Sequence, residues 1–136
     1  MNFLFDNCIP PSWAASILAC SQGKFPEKYV ESVVALRHKF KPNAKDPEWL
    51  TQLGEEGNWV IISADAFRKQ NGAERRIIRQ YGLSVFVLQP SWLSQPYWNK
   101  YSQFIKWWPR IVDQSNTVEH MAVLVPWRAT GKLKQI

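Results

Sequence analysis

The feature that most constrains this chain is the rhythm of its apolar runs. Short stretches rich in β-branched and aromatic residues (2–5, 32–36, 59–62, 84–88 and 121–125) have the length of buried strands. Amphipathic stretches separate them, punctuated by Pro, Gly and acidic residues. Pro10-Pro11-Ser12 opens the first helix, with Ser12 as its cap, an apolar side of Trp13, Ile17, Leu18 and Cys20, and a stop at Gly23. Asp46-Pro47-Glu48 opens the second: Asp46 caps, Pro47 suits the first helical position, and Trp49, Leu50 and Leu53 face inward. Asn71-Gly72-Ala73-Glu74 has the form of a capping box before a third helix, which buries Ile77, Ile78 and Tyr81 and ends at Gly82. A fourth helix starts near Ser94 and carries a stripe of Tyr97, Trp98, Tyr101, Phe104, Ile105 and Trp108 until Pro109 ends it. Trp107 falls off that stripe and, with Trp127, is expected in an exposed patch for a partner.

Strands and helices alternate, so the expected fold is α/β. We expect one domain over residues 1–136, a mostly parallel five-stranded sheet with helices on both faces, and a basic tail at 127–136. In such a sheet ligands gather at the carboxyl ends of the strands, where strand order reverses. With the order 2-1-3-4-5, the first and third strands flank that point, and they lead into Asp6 and Asp65.

Several function classes are excluded. Apolar residues make up 46% of the chain and charged residues 21%, which is the composition of a packed domain rather than a disordered one. The apolar runs are too short to span a bilayer, and residues 1–6 lack the pattern of a secretory signal. Two cysteines, Cys8 and Cys20, make neither a disulfide framework nor a zinc set, and Cys8 is expected as a small buried hydrophobe. His38 and His120 lack metal-ligand spacing, and there is no P-loop, Gly-rich dinucleotide motif or catalytic triad. A reducing, cytoplasmic setting without a membrane is expected.

The net charge of +6 is unevenly distributed. Residues 1–65 balance to −2 and residues 66–136 to +8. Acids early and bases late suit a carboxylate site beside a track for a polyanion. Asp6, Asp46 and Asp65 all belong to the carboxyl edge of the expected sheet. Three carboxylates in one crevice repel one another unless some stay protonated or a cation joins them. A hard cation with oxygen ligands, Mg²⁺ or Mn²⁺, makes such a cluster sensible, and one or two of them suit phosphodiester hydrolysis. Each acid also has a purely structural reading: Asp6 and Asp65 as turn formers, Asp46 as a helix cap, Glu74 as the reciprocal member of a capping box. Arg68 and Lys69 follow Asp65 closely, and Arg75, Arg76 and Arg79 lie off the apolar stripe of the third helix. These five are the expected phosphate contacts, with a solvated helix face as the alternative.

The residues also resemble a known family. Phe3-Leu4-Phe5-Asp6-Asn7 is similar to the first strand of PIN-like domains, Lys45-Asp46-Pro47-Glu48-Trp49-Leu50 to their second acidic signature, and Val60-Ile61-Ile62-Ser63-Ala64-Asp65-Ala66-Phe67 to their third, an apolar strand followed by Ser/Thr-x-Asp-x-Phe. The three occur in order over residues 2–90. The resemblance implies a VapC-type ribonuclease, with Asp6, Asp46 and Asp65 as catalytic metal ligands and Asn7, Ser63 and Glu74 in support. It further implies an RNA substrate, a cognate antitoxin protein and a homodimer. Two other functions fit parts of the pattern. A PIN-like scaffold without catalysis would bind RNA or protein. A receiver-like signalling domain would be phosphorylated at Asp65, although here the first strand ends in a single acid and the last in Val125-Pro126-Trp127, without a lysine.

Overall fold

The computed structural model describes the backbone of residues 1–136 and every side chain except that of Gln70. Five parallel strands, β1 (Asn2–Phe5), β2 (Ser32–Ala35), β3 (Trp59–Ser63), β4 (Ser84–Leu88) and β5 (Ala122–Val125), form a sheet in the order β2-β1-β3-β4-β5. A short sixth strand, β6 (Lys134–Gln135), adds antiparallel to β5. The helices are α1 (Pro11–Ser21), α2 (Leu36–Lys39), α3 (Asp46–Glu56), α4 (Ala73–Tyr81) and α5 (Tyr97–Thr117). The expected single α/β domain and its strand order are observed, with six strands rather than five. The residues 127–136 expected as a tail return to the sheet edge. Among the described residues no helix is long and apolar enough to cross a membrane.

Alternation along the strands divides the core into two layers. Phe3, Phe5, Val60, Ile62 and Phe86 face α1 and α5, where they meet Trp13, Ile17, Phe104, Trp107 and Trp108. Leu4, Ile61, Val85 and Val87 face α3 and α4, against Trp49, Leu50, Leu53 and Ile78. The aromatic residues pack edge to face in the first layer, with Phe3 and Trp108 centroids 4.9 Å apart. Both sides of the sheet are therefore dry, as continuous apolar runs in parallel strands require.

The helix termini differ from the expected ones in instructive ways. The first helix begins at Pro11, so Ser12 sits inside its first turn and caps nothing. Leu36 leaves β2 to start α2. Asp46 is the first residue of α3 rather than its cap. The cap position belongs to Lys45, whose backbone N–H is accepted by Glu48 at 3.3 Å. Gly72, in a left-handed conformation at φ 81°, precedes α4, and Glu74 takes no part in a capping box. Pro109 lies inside α5, which continues to Thr117. An interior proline costs roughly 3 kcal/mol, but Pro109 is exposed, and the helix around it buries Phe104, Trp107, Trp108, Ile111 and Val112.

The same helix corrects the aromatic stripe. At about 100° per residue, Trp107 falls roughly 60° from Phe104 and Trp98 roughly 120° away. Trp107 is accordingly 0% exposed and Trp98 74% exposed, the reverse of expectation. Trp127 is half-buried against Trp92, with ring centroids 4.8 Å apart. Cys8 is exposed, not buried, and its Sγ accepts the Ala64 N–H at 3.2 Å.

The helices α3 and α4 pack closely because Gly54 leaves room for Tyr81: a Cβ on Gly54 would overlap the Tyr81 side chain. Gly54→Ala should therefore destabilise the fold by about 1–3 kcal/mol, although alanine is the better helix former by about 1 kcal/mol. Urea denaturation checks this, and Gly54→Ala combined with Tyr81→Ala should recover part of the loss.

Candidate metal centre

Parallel register sets the site. Phe5 pairs with both Ala35 of β2 and Ile62 of β3, so the residues that follow these strands emerge on one edge. Asp6 follows β1, and Asp65 follows β3 by two residues. Asp46 opens α3 and Glu74 lies in the first turn of α4, and both helices start at this same edge. Carboxylate oxygens of Asp46, Asp65 and Glu74 all lie within 4.8 Å of one another. Asp6 stands outside that group of three but is electrostatically coupled to Asp46 and Asp65.

A chain of contacts holds these acids in place. The Ser63 hydroxyl donates to Asp6 Oδ2 at 2.7 Å and accepts the Asp65 N–H at 2.8 Å. The other oxygen of Asp6 accepts the Asn7 N–H at 2.7 Å. Asp65 Oδ1 accepts the Phe67 N–H at 2.8 Å. Phe67 is fully buried with φ 55°, a conformation rare for a bulky side chain, and its ring meets Trp49 edge-on at 5.7 Å. The Trp49 indole N–H donates to Asp46 Oδ1 at 3.0 Å. The Ser-x-Asp-x-Phe motif is thus a bracket: its serine ties two acids together, and its phenylalanine props the tryptophan that orients a third.

Glu74 is the acid whose role differs most from its sequence reading. It is 1% exposed, and its Oε1 accepts the Lys69 N–H at 2.9 Å. Burial, a hydrogen bond shared with Asp46 and the charges of Asp46 and Asp65 raise its pKa to about 7. Burial also raises the pKa of Asp6, aided by Asp46 and Asp65 and opposed by the hydrogen bonds from Ser63 and Asn7. The cation beside the cluster is Lys69, whose ammonium lies 3.7 Å from Asp65 Oδ2 and is itself exposed. An all-oxygen donor set with this much unbalanced negative charge fits a hard divalent cation such as Mg²⁺ or Mn²⁺. Asp46, Asp65 and Glu74 would hold it, with Asp6 beside them.

The sequence model of the PIN-like domain family matches residues 1–90. The chain belongs to the PIN-like domain family. No curated protein and no solved structure matches it. The matched stretch contains all four acids of this PIN-like site, while α5, β5 and β6 lie beyond it.

The expected phosphate contacts divide into two kinds. Arg68 and Lys69 are exposed on the loop that follows Asp65. Arg75 is half-buried: its Nε donates to the Ala66 carbonyl at 2.7 Å, and its Nη2 is buried without a partner among the described residues. Burial, with Arg68 and Arg79 alongside, lowers the Arg75 pKa. Arg76 and Arg79 are exposed, and Arg76 donates to the Asn71 carbonyl at 3.1 Å. Two positioning side chains escaped the sequence reading: Trp49 registers there as an inward-facing residue of the second signature, and Phe67 only as the last residue of the third. The signal for Glu74 was present, because an acid in the first turn of a helix shares the sheet edge with Asp46.

The raised pKa of Glu74 has a definite sign in stability. Between its ordinary value of 4.5 and about 7 the folded protein holds a proton that the unfolded chain releases. In EDTA, stability should therefore fall as pH rises through that window, by on the order of 1–3 kcal/mol. Thermal denaturation from pH 4.5 to 8 measures it. Glu74→Gln should flatten the slope, and Mn²⁺ should raise the melting temperature of the wild type most at the alkaline end.

Proposed function

We propose that this PIN-like protein is a metal-dependent endoribonuclease and the toxin of a toxin–antitoxin pair, acting in the cytoplasm. The observation that carries the nuclease reading is the convergence of Asp46, Asp65 and Glu74 within 4.8 Å of one another. A bound Mg²⁺ or Mn²⁺ supplies Lewis acidity toward a phosphodiester and makes water a better nucleophile near neutral pH. The protein's own groups do the rest. Ser63, Phe67 and Trp49 keep the carboxylates in position before any ion arrives, so little reorganisation accompanies binding. Arg68 and Lys69 on one side of the cluster, with Arg75, Arg76 and Arg79 behind them, offer cations to the RNA backbone without reading its sequence.

The toxin role rests on the likeness of the three acid-bearing segments to VapC-type ribonucleases. It brings with it a cognate antitoxin protein and a homodimer. The exposed apolar side chains Leu93, Tyr97 and Trp98 offer a surface for either partner.

Purified protein should cleave single-stranded RNA with Mn²⁺ or Mg²⁺ and lose that activity in EDTA. Asp65→Asn and Asp46→Asn should each lower the rate by at least about 100-fold while the protein stays folded by circular dichroism. Expression of the wild type should arrest growth, and Asp65→Asn should not. Folded protein that binds RNA yet never cleaves it, with any divalent ion, would instead support a non-catalytic binding module. Stable labelling of Asp65 by acetyl phosphate would support a receiver-like domain.

A further inference from the structure

The charge count by halves hides one feature. Residues 37–45 carry Arg37, Lys39, Lys41 and Lys45 within the otherwise acidic first half. This segment runs from within α2 to the start of α3, which opens with Asp46. It forms a groove of about 360 Å³ whose lining includes Asn7, Arg37, Phe40, Lys41, Ala44 and Trp49. A second depression, toward Lys45 and Gln52, adjoins it and shares Phe40, Lys41, Ala44 and Trp49 in its lining.

Three observations define what this groove accepts. Its floor is apolar, with half-buried Phe40 as its aromatic surface and Trp49, 1% exposed, packed behind it at a centroid distance of 6.3 Å. Its rim is cationic: Lys39 is neutralised by Glu56 at 3.0 Å, but Arg37, Lys41 and Lys45 have no carboxylate partner among the described residues. It adjoins the metal centre through Asn7, which follows Asp6, and through Trp49, which donates to Asp46, although none of the four acids lines it. A ligand that combines a flat ring with an anionic group one sugar away matches floor and rim together. An acidic peptide would satisfy the rim alone.

We infer that this groove holds a nucleobase of single-stranded RNA beside the acid cluster, with Phe40 as its floor and Arg37 and Lys41 on the adjoining backbone phosphates. The strand then crosses the carboxylates from Arg37 and Lys41 on one side to Arg68 and Lys69 on the other. That the nucleotide in the groove flanks the bond to be cut rests on the nuclease reading; the binding does not.

The test is the affinity for a fluorescein-labelled single-stranded RNA in EDTA, followed by anisotropy across a salt series. Arg37→Ala with Lys41→Ala should raise Kd about 10-fold at moderate salt and make the salt dependence shallower by roughly one to two ions. Phe40→Leu, which keeps an apolar side chain for the core, should raise Kd about 5-fold with the salt slope unchanged. Lys132→Ala with Lys134→Ala, which removes equal charge near the opposite sheet edge, should stay within about 2-fold of wild type. Equal losses from the two lysine- and arginine-lacking pairs would overturn the inference, as would no loss from Arg37→Ala with Lys41→Ala, or no RNA binding by the wild type. Cleavage with Mn²⁺ is scored separately. Groove-dependent binding without cleavage sinks the nuclease reading and leaves the groove assignment standing, whereas cleavage with RNA affinity indifferent to the groove variants does the opposite.

Discussion

Mutual repulsion among acids fixed at one sheet edge is the constraint on which the rest of this structure turns. Asp46, Asp65 and Glu74 come within 4.8 Å of one another, and Asp6 feels the charges of Asp46 and Asp65. Left to itself such a cluster would splay apart or stay partly protonated, and the pKa of Glu74 is pushed up to about 7, first by burial and then by its shared hydrogen bond with Asp46 and the charges of Asp46 and Asp65. The fold resists splaying because each acid is anchored on a different rigid element: β1, the turn after β3, and the first turns of α3 and α4. Phe67, held at φ 55° and wholly buried, is part of the same bargain, since its position lets one loop both cradle Asp65 and support Trp49.

The two core layers serve this edge differently. The layer against α3 and α4 is coupled to the site directly: Gly54 lets Tyr81 approach, and the two helices then start side by side with Asp46 and Glu74 in their first turns. The layer against α1 and α5 is a dense aromatic pack that clamps the opposite face of β1 and β3. It contributes no acid to the cluster, but it holds the strands whose ends present Asp6 and Ser63. The family match covers all four acids and α1, whereas α5, which supplies Phe104, Trp107 and Trp108 to the aromatic layer, lies outside it.

Much of this was legible in the residues because the signals are local. Apolar runs of strand length, Pro47 at a helix start and Gly82 at a helix end act over a few positions and survive folding unchanged. The misreadings came where a local signal met a tertiary one. Pro109 is a helix breaker in isolation, yet the five apolar side chains that α5 buries outweigh it. Trp98 and Trp107 exchanged places because their sequence pattern was phased on the wrong residues, and only packing against the sheet fixes which face is inward. Glu74 had the spacing of a capping box, but the backbone at Gly72 turned left-handed and sent the carboxylate toward Asp46 and Asp65 instead.

By itself the amino-acid order determined the α/β class and the identity of three aspartates at strand or helix ends, since periodicity and terminus chemistry depend on near neighbours. Only the folded chain decided that Glu74 joins Asp46 and Asp65, that Trp49 and Phe67 hold them, and that the basic segment at 37–45 lies alongside. Those are relations between residues far apart in the chain. They are set by parallel strand register and by how closely α3 approaches α4, neither of which any short stretch encodes.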